Sequence, residues 1–223
     1  PIIGIEAYVA ARSRFDRDPS KDKARYHLIL LAQNEIGYQN LMTLTSKANL
    51  EGMYYKPRID HDLLEEYSEG IIALSACASG EVGESLRNDD YAGAKKIAEW
   101  YKSIFGDRDY LELQDHGHPD APAKWDVQVK INEYLERLSK ELDIPCVVTG
   151  DGHYLDHADQ ETHEILLCVG YGAFLSDEKR MSLKDFELHG SDTKEVSAGW
   201  NGKYHGAGAN NLQIACRFRG TLT

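Results

Sequence analysis

Apolar positions along the 223-residue chain follow two rhythms. Short apolar runs of strand length occur at Ile2 to Val9, His27 to Ala32, Ile71 to Ser75, Tyr110 to Leu113 and Cys146 to Thr149. Between them, a period near 3.6 residues marks helices. Ala94, Ile97, Ala98, Tyr101, Ile104 and Phe105 share one face. Val127, Ile131, Tyr134, Leu135, Leu138 and Leu142 share a longer one, with Pro145 just past its end. Strands alternating with helices predict an α/β fold with a mostly parallel sheet or barrel and helices outside. One connection breaks the rhythm. Ala11 to Arg25 is polar, contains Pro19 and carries no helical stripe, so the strands it joins form either a long hairpin or a distorted part of a barrel. Past Gly190 the pattern weakens: Gly202 to Ala209 is glycine-rich and reads as a linker or turn leading to a short helix near Asn211 to Phe218.

Composition narrows the class. With 42% hydrophobic and 28% charged residues the chain can build a core, which excludes wholesale disorder. No apolar run reaches the ~18 residues a membrane helix needs. The net charge of -12 argues against a surface that grips nucleic acid unaided, and suits a site that concentrates cations. Four scattered cysteines give no disulfide framework. The chain opens on Pro1 and an apolar stretch, with neither Met nor a basic segment before it, so this start is no signal peptide and reads as the interior of a longer chain.

Metal-type residues collect where strands end. Cys77 follows the third apolar run, Asp115 and His116 the fourth, and Asp151 and His153 the fifth. In βα barrels that carboxyl-terminal rim is where sites are built. Glu6 and His27 lie within or at the start of the two other strands. Each has a plainer reading: Glu6 faces solvent, His27 is a satisfied core histidine, Cys77 is a small buried hydrophobe. Asp151-Gly152-His153 is the stronger pair, because alternate residues of an extended segment point the same way and reach one ion together. His157, His163, His189 and His205 read as surface or helix residues without convergent partners. Tyr54-Tyr55-Lys56-Pro57-Arg58 sets two cations among aromatics; Lys56 and Arg58 suit a phosphate or a partner, with a structural loop as the default. No P-loop, dinucleotide fingerprint or nucleophile elbow is present.

Several segments then match a known family in order. The Pro1 to Val9 run, His27 to Ala32, Gly37-Tyr38-Gln39-Asn40-Leu41, Tyr54 to Asp60 and Leu74-Ser75-Ala76-Cys77 come first. Leu111 to Gly117, Asp151-Gly152-His153-Tyr154 and His163 to Cys168 follow. Together they resemble the PHP (polymerase and histidinol phosphatase) domain of bacterial DNA polymerase III alpha subunits, closely over residues 1–189 and loosely beyond. The resemblance implies a distorted seven-stranded βα (TIM-like) barrel, incomplete at its amino terminus, over 1–189, with 190–223 a linker and short helix leading toward a polymerase core. It carries the family's metal set onto Glu6, His27, Cys77, Asp151 and His153, with His116 beside them. The implied cofactors are divalent ions, zinc first and manganese or iron otherwise, with magnesium in the parent's polymerase centre. The imidazole, thiolate and carboxylate donors agree with zinc and with harder ions.

The same resemblance implies that the parent is a cytoplasmic, replicative DNA-directed DNA polymerase, a nucleotidyltransferase. Its partners would be the other holoenzyme subunits and primer-template DNA, with no membrane and no strong nucleic-acid binding by this segment alone. The segment itself would be a metal-dependent 3′-5′ exonuclease or a structural support. An independent metal-dependent phosphoesterase resembling histidinol phosphatase is the alternative; the Gly37 to Leu41 and Tyr54 to Asp60 motifs resemble the polymerase branch instead. Departures are present too. The family's H-x-H and T-D-H segments and its palm carboxylates have no counterpart here, Gly150 and Gly152 differ from the usual residues, and Gly206-Ala207-Gly208 stands where a regular helix is expected.

Overall fold

The computed structural model describes residues 2–114, 116, 122–191 and 206–218, with side chains in the long helix described from Val127 onward. Five strands form one sheet in chain order: β1 (Gly4–Ala10), β2 (Arg25–Ala32), β3 (Ile71–Leu74), β4 (Asp109–Gln114) and β5 (Cys146–Thr149). The helices are α1 (Glu35–Leu50), α2 (His61–Glu66), α3 (Glu81–Arg87), α4 (Tyr91–Phe105), α5 (Pro122–Leu142), α6 (Gln160–Tyr171) and α7 (Ala207–Arg217). The expected strands are all present, and α4 and α5 lie on the two helical stripes.

The sheet is mixed and, among the described residues, open. β1 and β2 pair antiparallel as a hairpin, β2 and β3 are antiparallel, and only β3–β4 and β4–β5 are parallel. This corrects the mostly parallel expectation, while the hairpin, one of the two readings of the connection between β1 and β2, is present. Parallel strands need a crossover, usually a helix; the 11–24 segment supplies none, so β1 must turn straight back into β2. The middle is buried on both faces. Ile71, Ile72, Ala73 and Leu74 of β3 are each at most 5% exposed, and each large side chain there contributes about 1.5–3 kcal/mol by burial.

One face packs against α1, α2 and α4 through Ala7, Val9, Leu28, Leu30, Ile71 and Ala73. Asn34 caps α1, its side chain accepting the Gly37 N–H at 2.9 Å. A methyl group on Gly37 would lie 1.8 Å from the Gly70 carbonyl, so only glycine lets this first turn meet the strand's entry. Farther along, α3, α4 and α5 cover Leu111, Leu113 and Val148. The opposite face carries Ile29, Leu31, Ile72, Leu74, Tyr110 and Val147, with Ile214 of α7 against them.

Helix α7 begins at Ala207 rather than near Asn211, so Ala207 and Gly208 are helical and not linker, which corrects that expectation. Gly206 makes the entry turn at φ 84°, and Ala207 is buried beneath the helix. The remaining linker positions, 202–205, lie outside the described residues. Two side chains of α7 finish the sheet's edge. Asn211 accepts the Val148 N–H at 3.0 Å and donates to its carbonyl at 2.6 Å, while Asn210 donates to the Cys146 carbonyl at 2.7 Å. These amides do for β5 what a sixth strand would do. Asn211→Ala leaves both backbone groups of a residue only 2% exposed without partners, and we expect a loss of about 1–3 kcal/mol in denaturant unfolding. An unchanged midpoint would show that the edge is satisfied some other way.

Candidate functional site

Alternation along the strands decides which side chains meet. Glu6, His27, Ile29, Leu74, Tyr110, Glu112, Gln114 and Thr149 share the face opposite α1, apolar at one end and polar at the other. The polar end adjoins the loops that follow β3, β4 and β5.

The register sets Tyr8 opposite His27 and Glu6 opposite Ile29, so Glu6 and His27 are diagonal neighbours. They pair at 2.6 Å, Glu6 Oε1 to His27 Nδ1, with side chains 53% and 29% exposed. Glu6 is therefore neither free in solvent nor buried, and His27 is not a core residue. Cys77 comes from the loop after β3, its Sγ 3.7 Å from the same nitrogen. Ala76, at φ 60°, makes the bend, and the His27 N–H donates to the Ser79 carbonyl at 3.0 Å. A methyl group on Gly80 would lie 2.2 Å from the Ser75 carbonyl, which explains the glycine that closes this loop.

The Cys77 sulfur and then the Glu6 carboxylate favour the imidazolium and push His27 up to about 10. The hydrogen bond from His27 holds Glu6 below the usual carboxylate range, against the opposing effect of its burial. His27 is thus more readily protonated folded than unfolded. Its stabilising contribution is complete below about pH 6.5 and is lost as pH rises through about 10. With chelator present, the thermal midpoint of the wild type relative to His27→Gln should fall steadily across that window. A difference that does not change with pH would contradict this pairing.

Asp151 and His153 share the loop after β5. Asp151 adopts φ 48°, a left-handed turn that aspartate tolerates. His153 Nδ1 lies 2.6 Å from the Asp151 carbonyl and 4.0 Å from its carboxylate, and its N–H donates to the Leu188 carbonyl at 2.7 Å. The charge of His153 lowers the pKa of Glu6, and that of Asp151 raises the pKa of Glu112. The structure thus brings Glu6 and Cys77 both against His27 and sets Asp151 and His153 as a second pair, His153 within electrostatic range of Glu6 and Asp151 within range of Glu112. His116 Nε2 lies 3.3 Å from Gln114 Oε1, and its ring stands edge-on to Phe186. Asp115 and 117–119 lie outside the described residues. Among the described residues, no three His, Cys, Asp or Glu side chains are already placed to hold one ion.

Two expectations need correction. Arg58 cannot offer its charge to a phosphate, because it is 1% exposed. Its guanidinium donates to the carbonyls of Gly52, Asp22, Arg14 and Asp16 at 2.8–3.2 Å and lies over the Tyr54 ring. The 11–24 segment is polar because it folds around this cation. Lys56 stays exposed. The other histidines do converge: His163 packs on His153 and Tyr154, and His157 and His189 meet at Glu187 Oε2 at 3.2 and 3.5 Å. Glu187, which joins His157 and His189, comes from residues 183–189 folding back on the α6 entry, which spacing alone does not reveal. His205 lies outside the described residues.

Sequence reasoning missed Glu112. It is 3% exposed in the middle of β4 and accepts from Thr149 Oγ1 and, at 3.3 Å, from Gln114 Nε2. Burial pushes its carboxyl up. The signal was available, since a charged residue inside an apolar strand is the same anomaly that singled out Glu6.

The PHP domain family profile matches residues 1–116, just over half of the 223. The chain belongs to the PHP domain family. Its similar relatives include the DNA polymerase III subunit alpha of Borreliella burgdorferi, 43% identical over 88% of this chain and 17% of the relative. Those of Treponema pallidum (42%, over 88% and 16%) and Thermus aquaticus (41%, over 89% and 16%) are comparable. The chain therefore spans about a sixth of the length of these curated relatives.

Proposed function

We propose that this chain is the PHP segment of a replicative DNA polymerase alpha subunit, a cytoplasmic DNA-directed DNA polymerase working with other holoenzyme subunits on primer-template DNA. The observation that carries the reading is the 41–43% identity to DNA polymerase III alpha subunits over nearly nine-tenths of the chain. An independent phosphoesterase is not favoured. One structural feature supports membership of a larger protein. Leu166, Val169 and Phe174 on and after α6 are 63–75% exposed, an apolar surface that a lone domain seldom presents. Among the described residues, no helix is long and apolar enough to cross a membrane. Residues 1–189 would be the PHP domain proper, with 190–223 leading toward the polymerase core although α7 docks back on the sheet. In the full-length protein the sheet would extend into the seven-stranded barrel, with further strands pairing at β1, since α7 already covers the edge of β5.

The site is proposed to hold divalent metal, zinc before manganese or iron, through Glu6, His27, Cys77, Asp151 and His153, with His116 nearby. The donor types fit: imidazole and thiolate suit zinc, and the carboxylates suit a second, harder ion. A bound ion there would neutralise charge on a phosphate ester and activate a water. The chain's own part is to bring donors from three loop-and-strand positions together, with the imidazolium proton of His27 released on binding. A supporting, stability-giving role comes first, because Glu6 and His27 are closed on each other. A 3′-5′ exonuclease is the second reading. It is favoured by a groove of about 300 Å³ beside His27, lined also by Tyr8, Lys23, Arg25 and Ser79, where cations could meet a phosphodiester.

Primer extension by the full-length protein tests the main reading. Template-dependent nucleotide addition is expected, with magnesium at a polymerase centre elsewhere in the parent. Phosphomonoester hydrolysis without any primer extension would overturn it. Release of nucleotides from a labelled primer 3′ end, abolished by His27→Ala with extension retained, would promote the second reading over the first.

A further inference from the structure

We propose that Glu112 is a positioning residue of this cation site: its buried carboxylate fixes the two loops that carry Cys77 and Asp151, and its charge sets how tightly a cation is held there. The inference rests on the cation-binding reading above. Three strands meet at this one side chain. Thr149, two residues before Asp151, donates its hydroxyl to Oε1 from the end of β5. Gln114 donates to the same oxygen from β4 and touches His116 on its other side. From β3's end Ser75 Oγ, two residues before Cys77, accepts the Glu112 N–H at 2.9 Å, and the Ala76 N–H favours the charged carboxylate.

Among the described residues, nothing donates a hydrogen bond to the other oxygen, Oε2, which is enclosed. Leaving a buried carboxylate oxygen unpaired is costly, so such an atom needs a physical explanation. Packing alone does not provide one, since a leucine or glutamine would fill the same space without the charge. The field of Asp151 acts on this carboxylate from the adjacent loop. Burial first, and the like charge of Asp151 after it, disfavour the charged carboxylate, and a cation held at these two loops would offset both effects. The group therefore resembles the outer-shell carboxylates that orient metal ligands and raise affinity.

The test is zinc titration of the full-length protein by calorimetry, with thermal unfolding measured in chelator and in zinc. Glu112→Gln keeps the shape and an acceptor for Thr149 while removing the charge. Zinc affinity should fall by about tenfold or more, the midpoint in chelator should hold or rise, and the zinc-induced shift should shrink. Thr149→Val, which releases the carboxylate from its anchor, should weaken zinc severalfold and keeps the inference testable should the glutamine variant not fold. A Glu112→Gln protein with unchanged zinc affinity overturns the inference, and so does one that loses stability in chelator while binding zinc as before. Cys77→Ser separates the two levels. If it weakens zinc while Glu112→Gln does not, only the role of Glu112 fails; if neither matters, or the wild type binds no zinc, the cation site itself fails.

Discussion

Arg58→Met should lower the unfolding free energy by about 3–5 kcal/mol, the range for breaking a buried, hydrogen-bonded charge network. Arg58 is fully enclosed and satisfies four carbonyls, three of them in the 11–24 segment. Around it, Arg12 pairs bidentately with Asp22, and Arg14 bridges Asp60 and Glu51. Asp60 is also the cap of α2, accepting the Leu63 N–H at 3.2 Å. Methionine fills much of the volume but leaves those carbonyls without donors, so the loss comes from desolvated acceptors more than from a cavity. Chemical denaturation gives the number directly. Hydrogen exchange should show the 13–23 amides opening before the strands. A loss below about 1 kcal/mol would mean that water replaces the guanidinium, and that the loop is not organised around it.

The second large effect concerns binding. His27→Ala should weaken divalent-ion affinity by at least ~100-fold, more than the 10–100-fold typical of groups that only support a ligand. His27 stands between a carboxylate at 2.6 Å and a sulfur at 3.7 Å, and its removal leaves Glu6 and Cys77 without the atom that joins them. Equilibrium dialysis with zinc, performed on the full-length protein at fixed pH, measures this. Affinity should also rise with pH in the wild type, because the imidazole must give up its proton before it can ligate. Equal affinity in wild type and variant would remove His27 from the site.

How far these features could be read in advance depends on how locally they are encoded. The five strands and helices α4 and α5 were legible because their apolar stripes are unbroken; Ala94, Ala98, Tyr101 and Phe105 bury one continuous face. α1 was not, since exposed Ile36 and Met42 dilute its narrow stripe of Leu41, Leu44 and Ala48. A hairpin was one of the two readings of the 11–24 connection and is the one present, whereas the antiparallel β2–β3 pairing went unread; the connection's organiser, Arg58, lies more than thirty positions along the chain. Among the site residues, Glu6 and His27 stood out by type within their strands and Cys77 by its place after one, and Glu6 and Cys77 both touch His27. Glu112 escaped notice because its meaning lies across strands, in Thr149 and Ala76. The Glu187 contacts with His157 and His189 escaped for the same reason: a loop that folds back leaves no periodic trace.

The most direct test of the account is anomalous X-ray scattering at the zinc edge from crystals of the full-length protein grown with zinc. A peak bonded to the His27 imidazole and the Cys77 sulfur at ~2.0–2.3 Å is expected, with Glu6 turned from its present pairing toward the ion. Glu6 and His27 still paired at 2.6 Å, with no anomalous peak beside them, would contradict it.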